Sequence, residues 1–259
     1  MVTRAFGLFA GCRNLYLAIG VRCLTAVTKF TGIKTISFDV DGTLWDFDAV
    51  MKYSLGETLK ELSRIDPGSA SLLSVAHMIE VRELVHTSLL PKTISLNEIR
   101  LESIKQALRD IGRSDDALGL HLFGIYVQHR DSNMALFDDV LPVFEHLSRK
   151  RKYRLGLLSN GNCYADRLGL QDFVSFQVFS QDHCGVEKPD PRLFTVALQE
   201  SKCRPKEFLH VGDSLKYDVA GAHSAGVHVV WLNRMGEKAM VPHRNTEISS
   251  LHQLAELVE

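Results

Sequence analysis

Ile36-Ser37-Phe38-Asp39-Val40-Asp41-Gly42-Thr43-Leu44 reads as a short apolar strand that stops abruptly at two carboxylates, with a glycine turn behind them. A strand buried on both faces excludes charge, so acids at its C-terminal tip need a reason. In open parallel α/β sheets, ligands bind beyond the carboxyl ends of the strands, which is where these acids fall. Residues i and i+2 of an extended segment point to the same side, so both carboxylates can face one ligand. One can attack while the other handles protons. A strand that simply ends in a solvated Asp-Gly turn gives the same local pattern. The rest of the chain has to decide.

From Lys34 onward, apolar runs alternate with helical periodicity. Strands are expected at Thr35–Asp39, Tyr153–Ser159, Phe176–Phe179, Phe208–Gly212 and His228–Leu232. Helices are expected at Val140–Lys150, Pro191–Glu200, Leu215–Ala225 and Ser250–Val258, with Asp190 an N-cap before the proline at 191. This alternation predicts an α/β fold with a doubly wound parallel sheet. The interval from Asp46 to about Asp138 breaks the rhythm. Met51–Ser63, Ala70–Leu90, Leu96–Ile111 and Asp115–Arg130 carry apolar residues at helical spacing, punctuated by Pro67-Gly68, Pro91 and Gly112-Arg113-Ser114. An all-helical insertion whose two ends fall near the acid-bearing tip is placed to cover a site, exclude water and select a substrate.

Three further strand ends or adjoining loops carry polar groups. Ser159-Asn160-Gly161 follows an apolar strand and offers a hydroxyl, an amide and free N–H groups, as a phosphate-oxygen cradle would. An ST-turn or helix cap has the same composition. Lys188 precedes Pro189-Asp190-Pro191, where stiffened backbone can fix its direction, although such a lysine is also an ordinary loop residue. His210-Val211-Gly212-Asp213-Ser214 ends another apolar strand in an acid, and Asp218 follows one helical turn later. Gathered with Asp39 and Asp41, these carboxylates repel one another unless a cation is present. Hard oxygen donors without a His/Cys cluster point to Mg²⁺ rather than zinc.

At 259 residues the chain has length for one large domain or two modest ones. A formal net charge of −1 and no broad basic stripe argue against a nucleic-acid partner. Arg149-Lys150-Arg151-Lys152 reads as a helix end, where cations suit the dipole. The five cysteines (Cys12, Cys23, Cys163, Cys184, Cys203) are odd in number and lack CxxC spacing, as expected of reduced, structural thiols. Residues 1–38 contain no Asp or Glu but carry Arg4, Arg13 and Arg22 among apolar residues. The arginines interrupt any membrane span, so no stable membrane insertion is expected. An acid-free, arginine-bearing start suits a transit peptide, yet arginines nine residues apart do not share one helix face, and serine is absent before Ser37. The expected location is therefore cytoplasmic, with a mitochondrial or other organelle matrix, after removal of the leader, as the alternative.

Taken together, these motifs resemble the haloacid dehalogenase superfamily over about Lys34 to Arg234. Asp39-Val40-Asp41-Gly42-Thr43 resembles its first motif, Ser159-Asn160 the second, Lys188 the third, and Gly212-Asp213 with Asp218 the fourth. The resemblance implies a Rossmann-like core at 34–46 and 135–259, a helical (C1-type) cap at 47–134, and an N-terminal extension at 1–33. It further implies that Asp39 is the nucleophile, forming an aspartyl-phosphate, and that Asp41 is the general acid and later base. Ser159, Asn160 and Lys188 would contact the phosphoryl group. Asp39, the Asp41 carbonyl and Asp213 would hold Mg²⁺, with Asp218 supporting the metal shell or Lys188. The dehalogenase branch attacks carbon and does not need an acid/base at position 41, so Asp41 favours phosphoesters, although Asn160-Gly161 is similar to dehalogenase sequences.

The expected activity is Mg²⁺-dependent hydrolysis of a small-molecule phosphate monoester by a monomer or homodimer. A phosphomutase, a 2-haloacid dehalogenase and an inactive binding protein are the alternatives. An idle fold is disfavoured because unused buried carboxylates only cost stability. In the insertion, Arg82, His86 and Lys92 are candidates for cationic substrate recognition, while His77, His121 and His129 read as surface residues. Trp45 is expected to pack at the junction of core and insertion.

Overall fold

The computed structural model describes residues 29–89, 95–183, 185–238 and 246–258. The expectations for Arg4, Arg13, Arg22, Cys12, Cys23, Lys92, Pro91 and Cys184, and for the N-terminal extension through residue 28, lie outside the described residues.

Six strands form one sheet: β1 (Thr35–Phe38), β2 (Arg154–Ser159), β3 (Phe176–Phe179), β4 (Phe208–Gly212), β5 (His228–Leu232) and β6 (Thr246–Ile248). Their order is β3-β2-β1-β4-β5-β6 and every pairing is parallel. The chain runs outward from β1 to β3, then returns to lay β4 against the other side of β1. The strand order therefore reverses between β1 and β4, which is where a doubly wound sheet opens its binding crevice. Register pairs Phe38 with Val211, so the residues after these strands, Asp39 and Asp213, emerge on either side of that reversal. β1 itself stops at Phe38, one residue short of the expected end, although the Asp39 N–H still donates to the Val211 carbonyl at 2.8 Å.

Helices cover both faces of the sheet. α6 (Val140–Arg149) buries Val140, Val143, Phe144 and Leu147 on one face, where Phe144 lies 4.6 Å from Phe38 between ring centroids. α7 (Pro191–Ser201) buries Leu193, Phe194 and Ala197 on the other. The Asp190 carboxylate accepts from the Arg192 N–H, so the expected cap is formed.

The expected Leu215–Ala225 helix is a wider turn at Leu215–Val219 running into α8 (Ala220–Ser224). The Val219 N–H reaches back five residues to the Ser214 carbonyl, at 3.1 Å. Such widened turns inside helices recur at functional sites. The C-terminal helix is likewise shorter, a tight turn at Leu251–Gln253 followed by α9 (Leu254–Leu257). β6 was not foreseen, since three residues are too short for strand periodicity to register.

Between β1 and α6 the chain is helical: α1 (Phe47–Ile65), α2 (Pro67–Ala70), α3 (Val75–Leu89), α4 (Leu96–Asp110) and α5 (Asp116–Ser132). Asp46, Ser95 and Asp115 cap α1, α4 and α5, each accepting a main-chain N–H from the first turn. The expected single helix over Ala70–Leu90 is broken. The Ser74 hydroxyl accepts from the His77 N–H and starts α3 afresh at Val75. These helices have their own apolar cluster, built around Met51, Leu55, Leu62, Met78, Ile104 and Leu122. Phe47 packs against both this cluster and the core of the sheet. No helix among the described residues is long and apolar enough to cross a membrane.

Candidate active site

The tips of β1, β2 and β4 and the loop before α7 converge on a cleft of about 330 Å³. Asp39, Asp41, Ser159, Asn160, Lys188, Asp213 and Asp218 all line it, so the expected catalytic, phosphate-binding and metal residues reach one place. The opposite wall comes from the helical block through Phe47, Arg82, His86, Leu96 and Arg100.

Lys188 is the centre of the arrangement. It is 2% exposed, and its ammonium donates to Asp39 Oδ1 at 2.6 Å, Asp218 Oδ1 at 2.6 Å and the Leu158 carbonyl at 2.9 Å. Burial alone would lower its pKa, but Asp218 and Asp39 outweigh that and raise it, so it stays charged. The Asn160 side chain clamps its main chain, with Oδ1 accepting the Lys188 N–H at 2.7 Å and Nδ2 donating to the Lys188 carbonyl at 3.0 Å. Both polar ends of that amide are thus spent on orienting Lys188. The Lys188–Pro189 peptide is cis.

Asp218 supports the lysine from beneath. It is fully buried and accepts from Lys188, from His210 Nε2 at 2.9 Å and from the Ser214 N–H at 2.9 Å. Burial opposes its charge, but Lys188 and His210 together hold its pKa below the ordinary value. His210 is also fully buried, and burial lowers its pKa, so the ring is neutral near pH 7. It donates from Nε2 to Asp218, leaving Nδ1 to accept from the Ser37 hydroxyl 2.8 Å away. Ser37 and His210 were not singled out from the sequence, since only neighbouring strands reveal that they meet.

The two acids of the opening motif occupy unlike surroundings. Asp39 gives Oδ1 to Lys188, and burial raises its pKa well above the ordinary value despite that ammonium. Asp41 accepts from the Trp45 indole N–H at 2.9 Å. Burial raises its pKa too, while Arg130 and Arg100 from the helical block and the Trp45 hydrogen bond pull it back. Trp45 is fully buried under the Arg130 guanidinium, 5.4 Å from the ring centroid. It therefore packs at the junction as expected and also orients Asp41.

Asp213 Oδ1 accepts from the Thr43 hydroxyl at 2.9 Å, and burial pushes its pKa up to about 6. Gly42 has φ +84°, and a Cβ there would stand 2.5 Å from Asp213 Oδ2. The turn behind Asp41 thus needs glycine both for its backbone and for the close approach of Asp213. Arg234 fixes this loop, donating to the Thr43 carbonyl and making a bidentate pair with Asp139 at 2.8 and 2.9 Å.

Asp39, Asp213 and Asp218 each offer a carboxylate oxygen within 4.8 Å of the others. Three carboxylates face one ammonium, because the neighbouring imidazole is neutral. That excess negative charge and the all-oxygen donor set fit a divalent cation. Asp218 spends both oxygens on Lys188, His210 and Ser214, whereas Asp39 Oδ2 and Asp213 Oδ2 take no part in the hydrogen bonds described above. These two oxygens fit a metal better than Asp218 does.

Of the residues expected to supply cationic recognition, Arg82 and His86 line the cleft, and His86 Nε2 is 3.2 Å from Glu187 beside Lys188. Arg100 also lines it and was missed. It is 5% exposed and held by Asn97 and, from the core, Asn162. Cys163 is buried, its thiol pushed up to about 11, as expected of an inert structural cysteine.

A family model described as haloacid dehalogenase-like hydrolase matches residues 33–226. The 5-amino-6-(5-phospho-D-ribitylamino)uracil phosphatase YigB of Escherichia coli (strain K12) is 26% identical over 87% of this chain and 96% of its own. A glyceraldehyde 3-phosphate phosphatase of Methanopyrus kandleri is 28% identical over 83% of this chain and 91% of its own. Among solved structures, a 2-haloacid dehalogenase from Pseudomonas syringae pv. Tomato DC3000 superposes with a TM-score of 0.71. It is 30% identical, over 87% of this chain and 97% of that one.

Proposed function

The chain belongs to the haloacid dehalogenase-like hydrolases, and from that premise we propose that it is a Mg²⁺-dependent phosphatase of a small organic phosphate monoester. The observation that carries the reading is the pair Asp39 and Asp41 at one strand tip in unlike settings. One is bound to a buried ammonium and the other to an indole N–H. Phosphatases among the relatives support the same reading.

The Asp39 carboxylate, held by the Lys188 ammonium, attacks phosphorus through one oxygen and keeps the other for the metal. As the bond to the ester oxygen breaks, Asp41 passes its proton to the leaving alkoxide. Asp39 then carries the phosphoryl group as an acyl phosphate. Water attacks that phosphorus and gives a proton to Asp41; the bond to Asp39 breaks, and inorganic phosphate departs. Asp39, the Asp41 carbonyl and Asp213 would hold Mg²⁺, which when bound neutralises phosphoryl oxygens and the nucleophile's charge. Ser159 is 1% exposed and its hydroxyl already accepts the Gly161 N–H, shaping the loop that would cradle the phosphoryl oxygens. Lys188 opposes the effect of burial on Asp39 and so favours the ionised form that attacks.

The helical block over 47–134 acts as the cap in this reading, closing the cleft with Phe47, Arg82 and Arg100. The dehalogenase relative keeps a second reading in view. Attack on carbon displaces halide without a proton, however, and leaves the indole-bound Asp41 without work. Hydrolysis of p-nitrophenyl phosphate with Mg²⁺, lost with EDTA and in Asp39→Asn, is the expected result. Chloride release from 2-chloropropionate without phosphatase activity would overturn the reading. Isomerisation of a sugar phosphate without phosphate release would replace it with a mutase.

A further inference from the structure

Beside the cleft, inside the helical block, lies a small cavity of about 20 Å³. Arg82 and Arg100 line both spaces, so the cavity is a side chamber of the cleft; Tyr126 closes it among Leu55 and Met78. The chamber is large enough for one small group, since about 10–15 Å³ accommodates a water. Its polar lining is mostly donors, the Ser103 hydroxyl already donating its proton to the Ile99 carbonyl. Among the described residues, the buried Tyr126 hydroxyl has no hydrogen-bond partner, nor has Arg82 Nε. Arg130 flanks the group at 2% exposure, with Nε and Nη2 likewise unpartnered. Burial without a partner is costly for each such group, so a fold that keeps several together calls for an acceptor.

The charges are as lopsided as the hydrogen bonds. Arg82 and Arg130 each have one acid, Glu83 and Asp131, through Nη1. Among the described residues Arg100 has none within hydrogen-bond reach and rests on two neutral amides, Asn97 and Asn162. Burial, then Arg130 and Arg82, press its pKa down to about 10, so it remains charged at neutral pH. Asp41 is the acid shared by all three guanidinium groups, and in the reading above it is occupied with proton transfer. Stacking fixes the Arg82 guanidinium 5.5 Å from the Phe47 ring centroid, at the seam between block and core.

We propose that Arg82, Arg100 and Tyr126 form a carboxylate subsite, so that the substrate is a small phosphate monoester bearing a carboxylate on the far side of its phosphate. The inference rests on the phosphatase reading. A planar carboxylate matches the guanidinium fork and a chamber of this size, and it presents the acceptors that Tyr126 and Arg82 lack. A second phosphate offers similar charge but more bulk.

The test compares matched esters, phosphoglycolate and ethyl phosphate, which differ in the carboxylate, using the full chain with Mg²⁺. The expected ratio of kcat/KM is at least about 10 in favour of the acid, the scale of charge-assisted hydrogen bonds. Arg100→Gln should bring that ratio toward one. Because Arg100 also bonds Asn162 across the seam, a merely structural role would slow both esters alike and leave the ratio unchanged. Tyr126→Phe, which removes one unpartnered hydroxyl, should lower the ratio about threefold or more and carries the test if Arg100→Gln does not fold. A wild-type ratio near one, or a ratio that survives both substitutions, overturns the subsite while leaving the phosphatase intact. Preference for ethylene glycol bisphosphate over phosphoglycolate overturns the carboxylate assignment. Failure to hydrolyse these esters and p-nitrophenyl phosphate alike overturns the phosphatase reading and this inference together.

Discussion

Asp218→Asn isolates the charge that holds the site together. The substitution keeps the shape of a side chain that is fully buried but removes its charge. Asp218 accepts from Lys188 and His210 on Oδ1 and from the Ser214 N–H on Oδ2. An amide can serve only one of these sides. If its oxygen faces Lys188 and His210, its NH₂ meets the Ser214 N–H, donor against donor. The buried ammonium is then left with Asp39 as its single carboxylate. Breaking one side of a buried ion pair costs about 3–5 kcal/mol.

Urea unfolding at pH 7 with EDTA present, followed by far- and near-UV circular dichroism, measures this as a fall in midpoint at constant slope. Lys188→Met closes a cycle. Alone it leaves Asp39 and Asp218 facing each other without their cation; combined with Asp218→Asn it leaves only one carboxylate of that pair. The double variant should therefore be less destabilised than the sum of the singles, by about 2 kcal/mol, within the range found for residues in contact. A cost below about 1 kcal/mol for Asp218→Asn, or additivity within about 0.5 kcal/mol, would refute the claim that Asp218 anchors Lys188 electrostatically.

Three further outcomes follow from named contacts. Gly161→Ala would drive a Cβ into Asp41 Oδ2 and to 3.3 Å from Ser159 Oγ; turnover of p-nitrophenyl phosphate should fall at least about tenfold, the effect of misplacing a proton-transfer group, while the urea midpoint moves little. Phe144→Ala empties a fully buried site packed on Phe38 and should cost about 3–5 kcal/mol in the same unfolding assay. Burial opposes the charge of Asp139, but hydrogen bonds from Arg234, Ser250 and the Leu251 N–H hold its pKa below the ordinary 3.8. Its contribution to stability is therefore complete above pH 3.8 and is lost as the pH falls from there through the folded value. The stability difference between wild type and Asp139→Asn should shrink over that interval and not at neutral pH.

Most of the sheet was legible because buried parallel strands are short unbroken apolar runs. Phe176–Phe179, Phe208–Gly212 and His228–Leu232 match the observed strands residue for residue. What failed was decided by hydrogen bonds rather than by pattern. The break at Ser74 puts a cap where periodicity ran on. The widened turn at Leu215–Val219 arises where Ser214 bonds both Tyr217 and Asp218. Both are local competitions between side chain and backbone that a hydrophobic period does not register.

The site divides along a similar line. Asp39, Asp41, Ser159, Lys188 and Asp213 sit at strand ends or adjoining loops, where a polar group after an apolar run stands out. Arg100 and Arg130 sit within helices and pass for ordinary surface charge. Their helices nevertheless carried the signal. Leu118, Leu122 and Tyr126 recur every fourth residue along the buried face of α5, and Arg130 is the next position on that stripe. Arg100 heads the buried series Arg100, Ser103, Ile104, Ala107 and Leu108 in α4. A helix that turns its apolar face to a core does not place a guanidinium there without an acceptor to meet it. Asp41 meets the charge of Arg100 and Arg130 electrostatically, without a hydrogen bond. The unpartnered nitrogens of Arg82 and Arg130 and the Tyr126 hydroxyl leave room for an acceptor, and a substrate can bring it.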